Sequence, residues 1–209
     1  MDKRNSNYSL YLVTDSGLLG DKDLAKTVEQ AIQGGVTVVQ VREKNLSSLE
    51  FYQVALAIKG VTEKYGVPLI VNDRADIALA VDAAGLHIGQ EDLPVVVARK
   101  LLGPNKIIGV SAATLEEALL AQDQGADYLG IGAVFPTNTK DDADSVSLAD
   151  LAAIKNKVKI PIVAIGGIHG NNIQAVMNTG VDGVAVVSAI IAAVDPKAAA
   201  RKLLDIDKG

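Results

Sequence analysis

The stretch GVDGVAVV, residues 180–187, shows the pattern that decides the fold of this chain. Gly180 ends an amphipathic segment, and a short run rich in valine follows directly after it. Glycine tolerates the left-handed backbone conformation that closes many helices, so this pattern indicates a helix joined at once to a buried strand. The same joint recurs at Gly35, Gly66, Gly85 and Gly125. The chain is therefore built from repeated helix–strand units.

These joints and the remaining apolar runs predict eight strands, at residues 10–13, 36–41, 67–71, 86–88, 106–110, 126–131, 160–165 and 181–187. Amphipathic segments predict eight helices, at residues 23–33, 48–65, 75–83, 94–102, 115–124, 148–157, 171–178 and 196–204. Strands that alternate with helices indicate βαβ units and a parallel sheet. Eight units in 209 residues favour an α/β fold in which the sheet closes as a (β/α)8 TIM barrel. A doubly wound sheet is the alternative, but it usually has fewer strands, and no G-x-G-x-x-G follows the first strand.

Composition and charge exclude several classes of function. The 209 residues include no cysteine, which excludes disulfides and thiolate metal sites. A net charge of -5 and only 3% aromatic residues disfavour binding to nucleic acid or to an anionic membrane. No linker, membrane-length apolar run or signal-like N-terminal segment is evident, so we expect residues 1–209 to form a single cytoplasmic barrel domain.

The predicted end of the second strand carries an unusual set of polar residues. Alternation along a strand places Gln40, Arg42 and Lys44 on one side, and Val41 and Glu43 on the other. Active sites of TIM barrels lie at the carboxyl ends of the strands, where two cations and an amide would suit a diphosphate. The alternative is a solvated charged loop, which is less favoured because Gln40 and Arg42 fall within an apolar run.

Two aspartates follow the next two predicted strands. Asp73 and Asp92 would lie at adjacent strand ends, where a carboxylate pair beside a diphosphate would suit Mg²⁺. Helix capping is the alternative, because each aspartate also lies close to the predicted start of a helix. The neighbouring cations favour the metal site.

The fifth and sixth strand ends offer further groups that bind phosphate. Ser111 could donate to a phosphate or cap a turn. Thr137, Thr139 and Lys140 lie beside Pro136 in a loop long enough to close over a substrate, although a polar surface loop has the same composition.

The last two strands end in the positions at which many barrels bind phosphate. Gly166-Gly167 would let the backbone approach an anion, and Ser188 could cap a short helix. Structural glycines are the alternative for the pair. Of the two histidines, His87 is expected to be a packed, hydrogen-bonded core residue, and His169 to shape its loop.

Taken together, these residues resemble the thiamine-phosphate synthase family, and the resemblance runs from Tyr11 to Ile190. Five motifs occur in the order of the family and at its strand positions: QVREK at 40–44, ND at 72–73, GQED at 89–92, PTNTK at 136–140 and GGI at 166–168. One such motif would be weak, whereas five in register are specific. Beyond Lys140 the sequence departs from the family, because an acidic segment at 141–147 replaces the usual Pro and Gly.

The resemblance implies a reaction in which a hydroxymethylpyrimidine diphosphate and a hydroxyethylthiazole phosphate give thiamine phosphate and pyrophosphate, by a dissociative mechanism assisted by Mg²⁺. The residues that it assigns to the pyrimidine diphosphate are Gln40, Val41, Arg42, Glu43, Lys44, Asn72, Ser111 and Lys140. Those for the thiazole phosphate are Thr137, Asn138, Thr139, Gly167, Val187 and Ser188. Asp73 and Asp92 would hold Mg²⁺, and the groups assigned to catalysis are Arg42, Lys44, Ser111 and Lys140.

Two other functions fit the same fold. A thiazole tautomerase needs no diphosphate and metal site, so the cations and the aspartate pair argue against it. A barrel that binds a phosphorylated ligand without catalysis would not need both the cations and the aspartate pair either. The expected partners are two small phosphorylated substrates, and the sequence leaves open whether the chain forms a homo-oligomer.

Overall fold

The computed structural model describes residues 6–137 and 145–207. Their strands form a closed barrel in which each strand pairs in parallel with the next, and β8 pairs with β1. The strands are β1 (Leu10–Val13), β2 (Val38–Val41), β3 (Leu69–Asn72), β4 (Gly85–Ile88), β5 (Ile107–Ala112), β6 (Tyr128–Ile131), β7 (Ile162–Ile165) and β8 (Gly183–Val186). The predicted (β/α)8 TIM barrel is confirmed.

Helices cover the outside of this barrel. They are α1 (Leu24–Gln33), α2 (Ser48–Tyr65), α3 (Ala75–Ala80), α4 (Val95–Leu102), α5 (Leu115–Asp123), α6 (Leu148–Lys155), α7 (Ile173–Met177), α8 (Ser188–Ile191) and α9 (Pro196–Asp207). Within residues 6–137 and 145–207, no helix is long and apolar enough to cross a membrane.

Some element bounds differ from the prediction. The third helix ends at Ala80 instead of residue 83, and Asp82 adopts a left-handed backbone with φ of 50° that ends the turn. β5 continues to Ala112, because Ser111 pairs with Gly130 of β6. Ser111 therefore lies within a strand, which fixes the direction of its side chain.

Two apolar layers hold the barrel together. Residues that point outward from the strands, such as Val39, Leu86 and Leu129, pack against the helices in the larger core. Residues that point inward form a second core inside the barrel, which contains Tyr11 and Tyr128. Strand alternation separates these two layers, as expected when both faces of a parallel sheet are covered.

Glycines on β5 and β6 make room for large side chains inside the barrel. A Cβ atom at Gly109 would lie 2.1 Å from Cζ of Tyr128, so any side chain there would displace that ring. A Cβ atom at Gly130 would lie 3.1 Å from Cε1 of His87. The interior is thus shaped to hold these two rings side by side.

At the opposite end of the barrel from the strand carboxyl ends, aspartates join neighbouring strands. Asp127 precedes β6, and its Oδ2 accepts hydrogen bonds from the backbone N–H of Ile108 in β5 (2.8 Å) and from Arg99 of α4. Asp182 repeats the arrangement before β8, where its Oδ2 accepts from the N–H of Ile162 (2.7 Å) and from Lys155. Each aspartate thereby ties two strands and one helix together.

Replacement of Asp127 by Ala should lower the free energy of unfolding by about 2–4 kcal/mol, because it leaves Arg99 and the Ile108 N–H without this acceptor. Glu63→Ala is a suitable control, since Glu63 pairs with Lys59 at 3.3 Å and its side chain is 67% exposed. Loss of that pair should cost about 1 kcal/mol or less. Urea unfolding measures both values, and equal losses in the two variants would contradict this role of Asp127.

Candidate active site

A cavity of about 520 Å³ opens among the carboxyl ends of the strands. Its lining includes residues from all eight strands or from the segments that follow them. The predicted site residues that line it are Gln40, Arg42, Lys44, Asn72, Asp73, Asp92, Ser111, Thr137 and Val187. The structure therefore brings residues that are far apart in the sequence into one space at the rim expected for a barrel enzyme.

The side chains of β2 divide as the alternation predicts. Gln40, Arg42 and Lys44 line the cavity, whereas Val41 is fully buried in the core between the sheet and the helices. Glu43 also faces away from the cavity, and its Oε1 accepts hydrogen bonds from Ser16 Oγ (2.8 Å) and Thr14 Oγ1 (3.3 Å). Burial raises the pKa of Glu43. Any contact of Val41 or Glu43 with a substrate would therefore involve the backbone or a rearranged side chain.

Neither Asp73 nor Asp92 occupies the N-cap position of the helix that follows it. That position is Arg74 for α3 and Pro94 for α4, so the capping alternative is wrong for both aspartates. Asp92 Oδ2 instead accepts a hydrogen bond of 2.7 Å from the N–H of Gly89, which fixes this carboxylate in the lining of the cavity. Asp73 has a left-handed backbone with φ of 59°, an uncommon conformation for a residue other than glycine.

The two aspartates interact with each other. The pKa of Asp73 is raised to about 6, first by burial and then by the hydrogen bond and the negative charge of Asp92, while Arg42 and Lys44 oppose the shift. Two carboxylates this close repel each other, and a cation bound between them would relieve that repulsion. The described residues contain no cluster of three or more His, Asp or Glu side chains suited to a metal. Two hard oxygen ligands fit Mg²⁺, which usually completes its shell with water and phosphate oxygens.

The loops after β6 and β7 meet beside the cavity. Gly166 lines it, and Gly167 has φ of 60° and packs against the loop after β6, where a Cβ atom would lie 2.5 Å from the carbonyl oxygen of Pro136. The Gly167 carbonyl also accepts a hydrogen bond of 2.9 Å from Asn172 Nδ2. These glycines therefore have a packing role, whatever they contribute to binding an anion.

Ser188 is the first residue of α8, and Val187 occupies its N-cap position. The expectation that the Ser188 side chain caps this helix is thus wrong, because the helix starts one residue too early for that role. Of the remaining predicted site residues, Asn138, Thr139 and Lys140 lie outside the described residues, as does the acidic segment as far as Asp144.

Sequence analysis missed several residues of the cavity, chiefly Tyr11, Tyr128 and Gln90. His87 is buried and hydrogen-bonded as predicted, but it also lines the cavity. Gln90 Nε2 donates to the carbonyl oxygen of Ser111 at 2.6 Å and joins the β4 end to β5. Strand alternation could have indicated that Tyr11 and Tyr128 point into the barrel, but the sequence assigned them only to apolar strands.

Comparisons with known proteins identify the family of the chain. A family model described as thiamine monophosphate synthase matches residues 10–190. The chain is 57% identical over 203 residues to a thiamine-phosphate synthase of Clostridium tetani, with 97% of each chain covered. It is 56% identical to one from Clostridium acetobutylicum, with 98% of this chain and 97% of the relative covered.

Solved structures show the same relationship. A thiamine phosphate pyrophosphorylase from Pyrococcus furiosus superposes with a TM-score of 0.90 at 45% identity, covering 98% of this chain and 97% of that one. The residues matched by the family model, 10–190, include all eight strands. The chain therefore belongs to the thiamine monophosphate synthase family.

Proposed function

We propose that this chain acts as a thiamine-phosphate synthase, joining a hydroxymethylpyrimidine diphosphate to a hydroxyethylthiazole phosphate. The observation that carries the proposal is the single cavity in which two cations, a carboxylate pair, Ser111 and Thr137 converge. A barrel that handled only one monophosphate would not need the charged half of this cavity. The names of the relatives at 56–57% identity support the same reaction.

The charged half of the cavity suits the diphosphate. Arg42 and Lys44 project from the end of β2 toward the side on which Asp73 and Asp92 lie, and both cations lower the pKa of Asp73. Asn72, at the end of β3, adds an amide next to the aspartate pair. In this proposal Arg42, Lys44 and Asn72 hold the diphosphate oxygens, with Gln40 and Ser111 deeper in the cavity beside the pyrimidine, and with Lys140 added by family resemblance.

Asp73 and Asp92 would hold Mg²⁺ in the proposed enzyme. When bound there, the ion would supply positive charge that stabilises the diphosphate as it leaves. Hydrogen bonds fix both aspartates before any ion binds. The N–H of Gly89 donates to Asp92, and the N–H of Asp73 donates to the His87 carbonyl oxygen (2.8 Å), which holds Asp73 in its left-handed conformation.

The opposite half of the cavity suits the thiazole phosphate. Thr137 and Val187 line this side, and Gly167 and Ser188 follow the lining residues Gly166 and Val187 directly in the sequence. Asn138 and Thr139 join this group by family resemblance. The two halves would hold the substrates with the thiazole nitrogen in line with the methylene carbon of the pyrimidine.

The proposed reaction is dissociative and requires little acid–base chemistry. The bond between the methylene carbon and the diphosphate oxygen breaks first, and pyrophosphate departs with both electrons. The thiazole nitrogen then donates its lone pair to the pyrimidinylmethyl cation, and the new C–N bond completes thiamine phosphate. Arg42, Lys44 and Lys140 neutralise the leaving group, which is the main electrostatic demand of such a reaction.

Incubation of the protein with both substrates should give thiamine phosphate and one equivalent of pyrophosphate, and only when Mg²⁺ is present. Liquid chromatography of the products measures this directly. Tight binding of both substrates without product would support a binding protein instead, and isomerisation of a thiazole substrate without metal would support a tautomerase.

Replacement of Asp92 by Ala should lower kcat at limiting Mg²⁺ by about a hundredfold, because half of the proposed metal site is lost. Asp76→Ala provides the control, since Asp76 lies nearby in α3 but pairs with Arg74 and has a side chain that is 63% exposed. That variant should keep kcat within about twofold of the parent. A rate close to the parent's in Asp92→Ala would contradict the metal role.

The apparent affinity for Mg²⁺ should fall as the pH drops through about 6. The pKa of Asp73 is raised to about 6, so between pH 4 and 6 this carboxyl keeps a proton that an ordinary aspartate would have lost. The proton and the metal compete for the same oxygens. Activity measured against Mg²⁺ concentration from about pH 5 to pH 8 tests this, and a half-saturating concentration that does not change with pH would refute it.

A further inference from the structure

Five polar side chains form a continuous hydrogen-bonded chain across the floor of the cavity. Gln40 Nε2 lies 2.9 Å from the Tyr11 hydroxyl, which lies 2.7 Å from the Tyr128 hydroxyl. The Tyr128 hydroxyl lies 2.8 Å from His87 Nδ1, and His87 Nε2 lies 2.9 Å from Ser111 Oγ. We call this chain the relay. It links two residues on opposite sides of the cavity that are both expected to contact the pyrimidine substrate.

The relay is a built feature of the barrel interior. Tyr11 and Tyr128 are each 1% exposed, and Gln40 and His87 are 5% and 8% exposed. Gly109 and Gly130 provide the space for the Tyr128 and His87 rings, because a Cβ atom at either position would meet them. A buried polar network of this kind is stable only when its members satisfy one another.

Both phenols in the relay remain protonated. Burial raises the pKa of Tyr11 and of Tyr128 well above the ordinary value for tyrosine. Each tyrosine therefore has one hydroxyl proton to donate and lone pairs with which to accept. Because each hydroxyl can donate only once, the direction in which hydrogen bonds are donated along the relay depends on its first donor.

The direction follows link by link from the Gln40 amide. Its Nε2 is a donor only, so the Tyr11 hydroxyl accepts from Gln40, and the Tyr128 oxygen is the acceptor left within reach of the Tyr11 proton. Tyr128, which then accepts from Tyr11, directs its proton to His87 Nδ1. A neutral imidazole that accepts at Nδ1 carries its proton on Nε2, and that proton goes to Ser111 Oγ.

We propose that the relay holds His87 as the neutral Nε2–H tautomer and thereby makes Ser111 a hydrogen-bond donor toward the substrate. Because Ser111 Oγ accepts from His87, its own proton is left for an acceptor atom in the cavity. Tyr11, Tyr128 and His87 are positioning residues in this scheme, since they act through Ser111.

The relay would select a ligand that accepts a hydrogen bond from Ser111 over one that donates to it. A lone pair on a ring nitrogen of the pyrimidine can accept from Ser111, whereas an N–H group at the same place would leave two donors facing each other. This consequence rests on the proposed function, but the tautomer of His87 in the free protein does not.

The opposite direction gives a distinct and measurable state. It would require the Gln40 amide to present its oxygen to Tyr11, so that Tyr11 donates to Gln40 and Tyr128 donates to Tyr11. His87 would then carry its proton on Nδ1, and Ser111 would donate to His87 Nε2. The tautomer of His87 therefore reports the direction of the relay.

Nitrogen NMR of the free protein labelled with [¹⁵N]histidine tests the proposal. The chain has only two histidines, and His169→Gln identifies the signals of His87. In mildly alkaline buffer, where an ordinary imidazole is neutral, we expect Nε2 of His87 to be protonated and Nδ1 to be unprotonated. A proton on Nδ1, alone or together with one on Nε2, would overturn the proposal.

Tyr11→Phe tests whether the direction is transmitted, because it removes a hydroxyl that is separated from His87 by Tyr128. We expect the Nδ1–H form of His87 to appear in this variant. Tyr8→Phe is the matched control: the Tyr8 ring packs on Tyr128 with ring centroids 4.8 Å apart, but its hydroxyl is not a member of the relay. It should leave the His87 signals unchanged.

Identical His87 spectra for Tyr11→Phe and the parent would refute transmission through Tyr11. If Tyr11→Phe does not fold, Tyr128→Phe removes the donor to Nδ1 directly and should also populate the Nδ1–H form. A folded Tyr128→Phe protein with the parent's tautomer would refute the proposal equally.

Steady-state kinetics of Tyr11→Phe connect the relay to the substrate. The KM for the pyrimidine diphosphate should rise about three- to tenfold, as expected for one weakened neutral hydrogen bond, while the KM for the thiazole phosphate stays within about twofold. Equal changes in both KM values would indicate a general structural defect. A parent protein without synthase activity would refute the proposed function, while the tautomer measurement would still decide the relay.

Discussion

Closure of eight parallel strands in chain order is the constraint on which the rest of this structure depends. It directs every strand's carboxyl end to the same rim and sorts the side chains of each strand into an inward and an outward set. The outward set holds the helices by burial of apolar surface. The inward set has no such partner, so its polar members can face only one another or a ligand. A binding cavity at the rim follows from closure itself.

The interior is arranged by size as well as polarity. Glycines at 109 and 130 leave space that Tyr128 and His87 fill, and the polar ends of these rings meet Tyr11 and Ser111. Above this floor lie the charged groups of β2, β3 and the segment after β4. The cavity therefore changes from a neutral, directional hydrogen-bond network at depth to a strongly charged rim. That gradient suits a substrate with a neutral ring at one end and a diphosphate at the other.

Much of this arrangement could be predicted from the sequence. The glycine joints and the remaining apolar runs predicted the number and order of the strands. Alternation along residues 40–44 separated Gln40, Arg42 and Lys44 from Val41 and Glu43, as the structure shows. Strand periodicity is local, so a single sequence carries it. The end of β5 was predicted too early, because pairing of Ser111 with Gly130 depends on a neighbouring strand.

The features that escaped prediction depend on contacts between distant parts of the chain. Tyr11 and Tyr128 are 117 residues apart, and nothing in either strand alone indicates that their hydroxyls meet. Exclusion of a capping role for Asp73 and Asp92 likewise required the actual helix starts, and their pairing required the proximity of the two carboxylates. Local patterns identify candidates, but only the closed barrel shows which of them act together.

The central claim is that one rim binds a metal–diphosphate unit between the ends of β2, β3 and β4. The most direct measurement is anomalous diffraction from crystals grown with Mn²⁺ and pyrophosphate. The account predicts a manganese peak in contact with Asp73 and Asp92, with pyrophosphate against Arg42 and Lys44. Manganese and pyrophosphate bound elsewhere, with this cavity filled only by water, would contradict it.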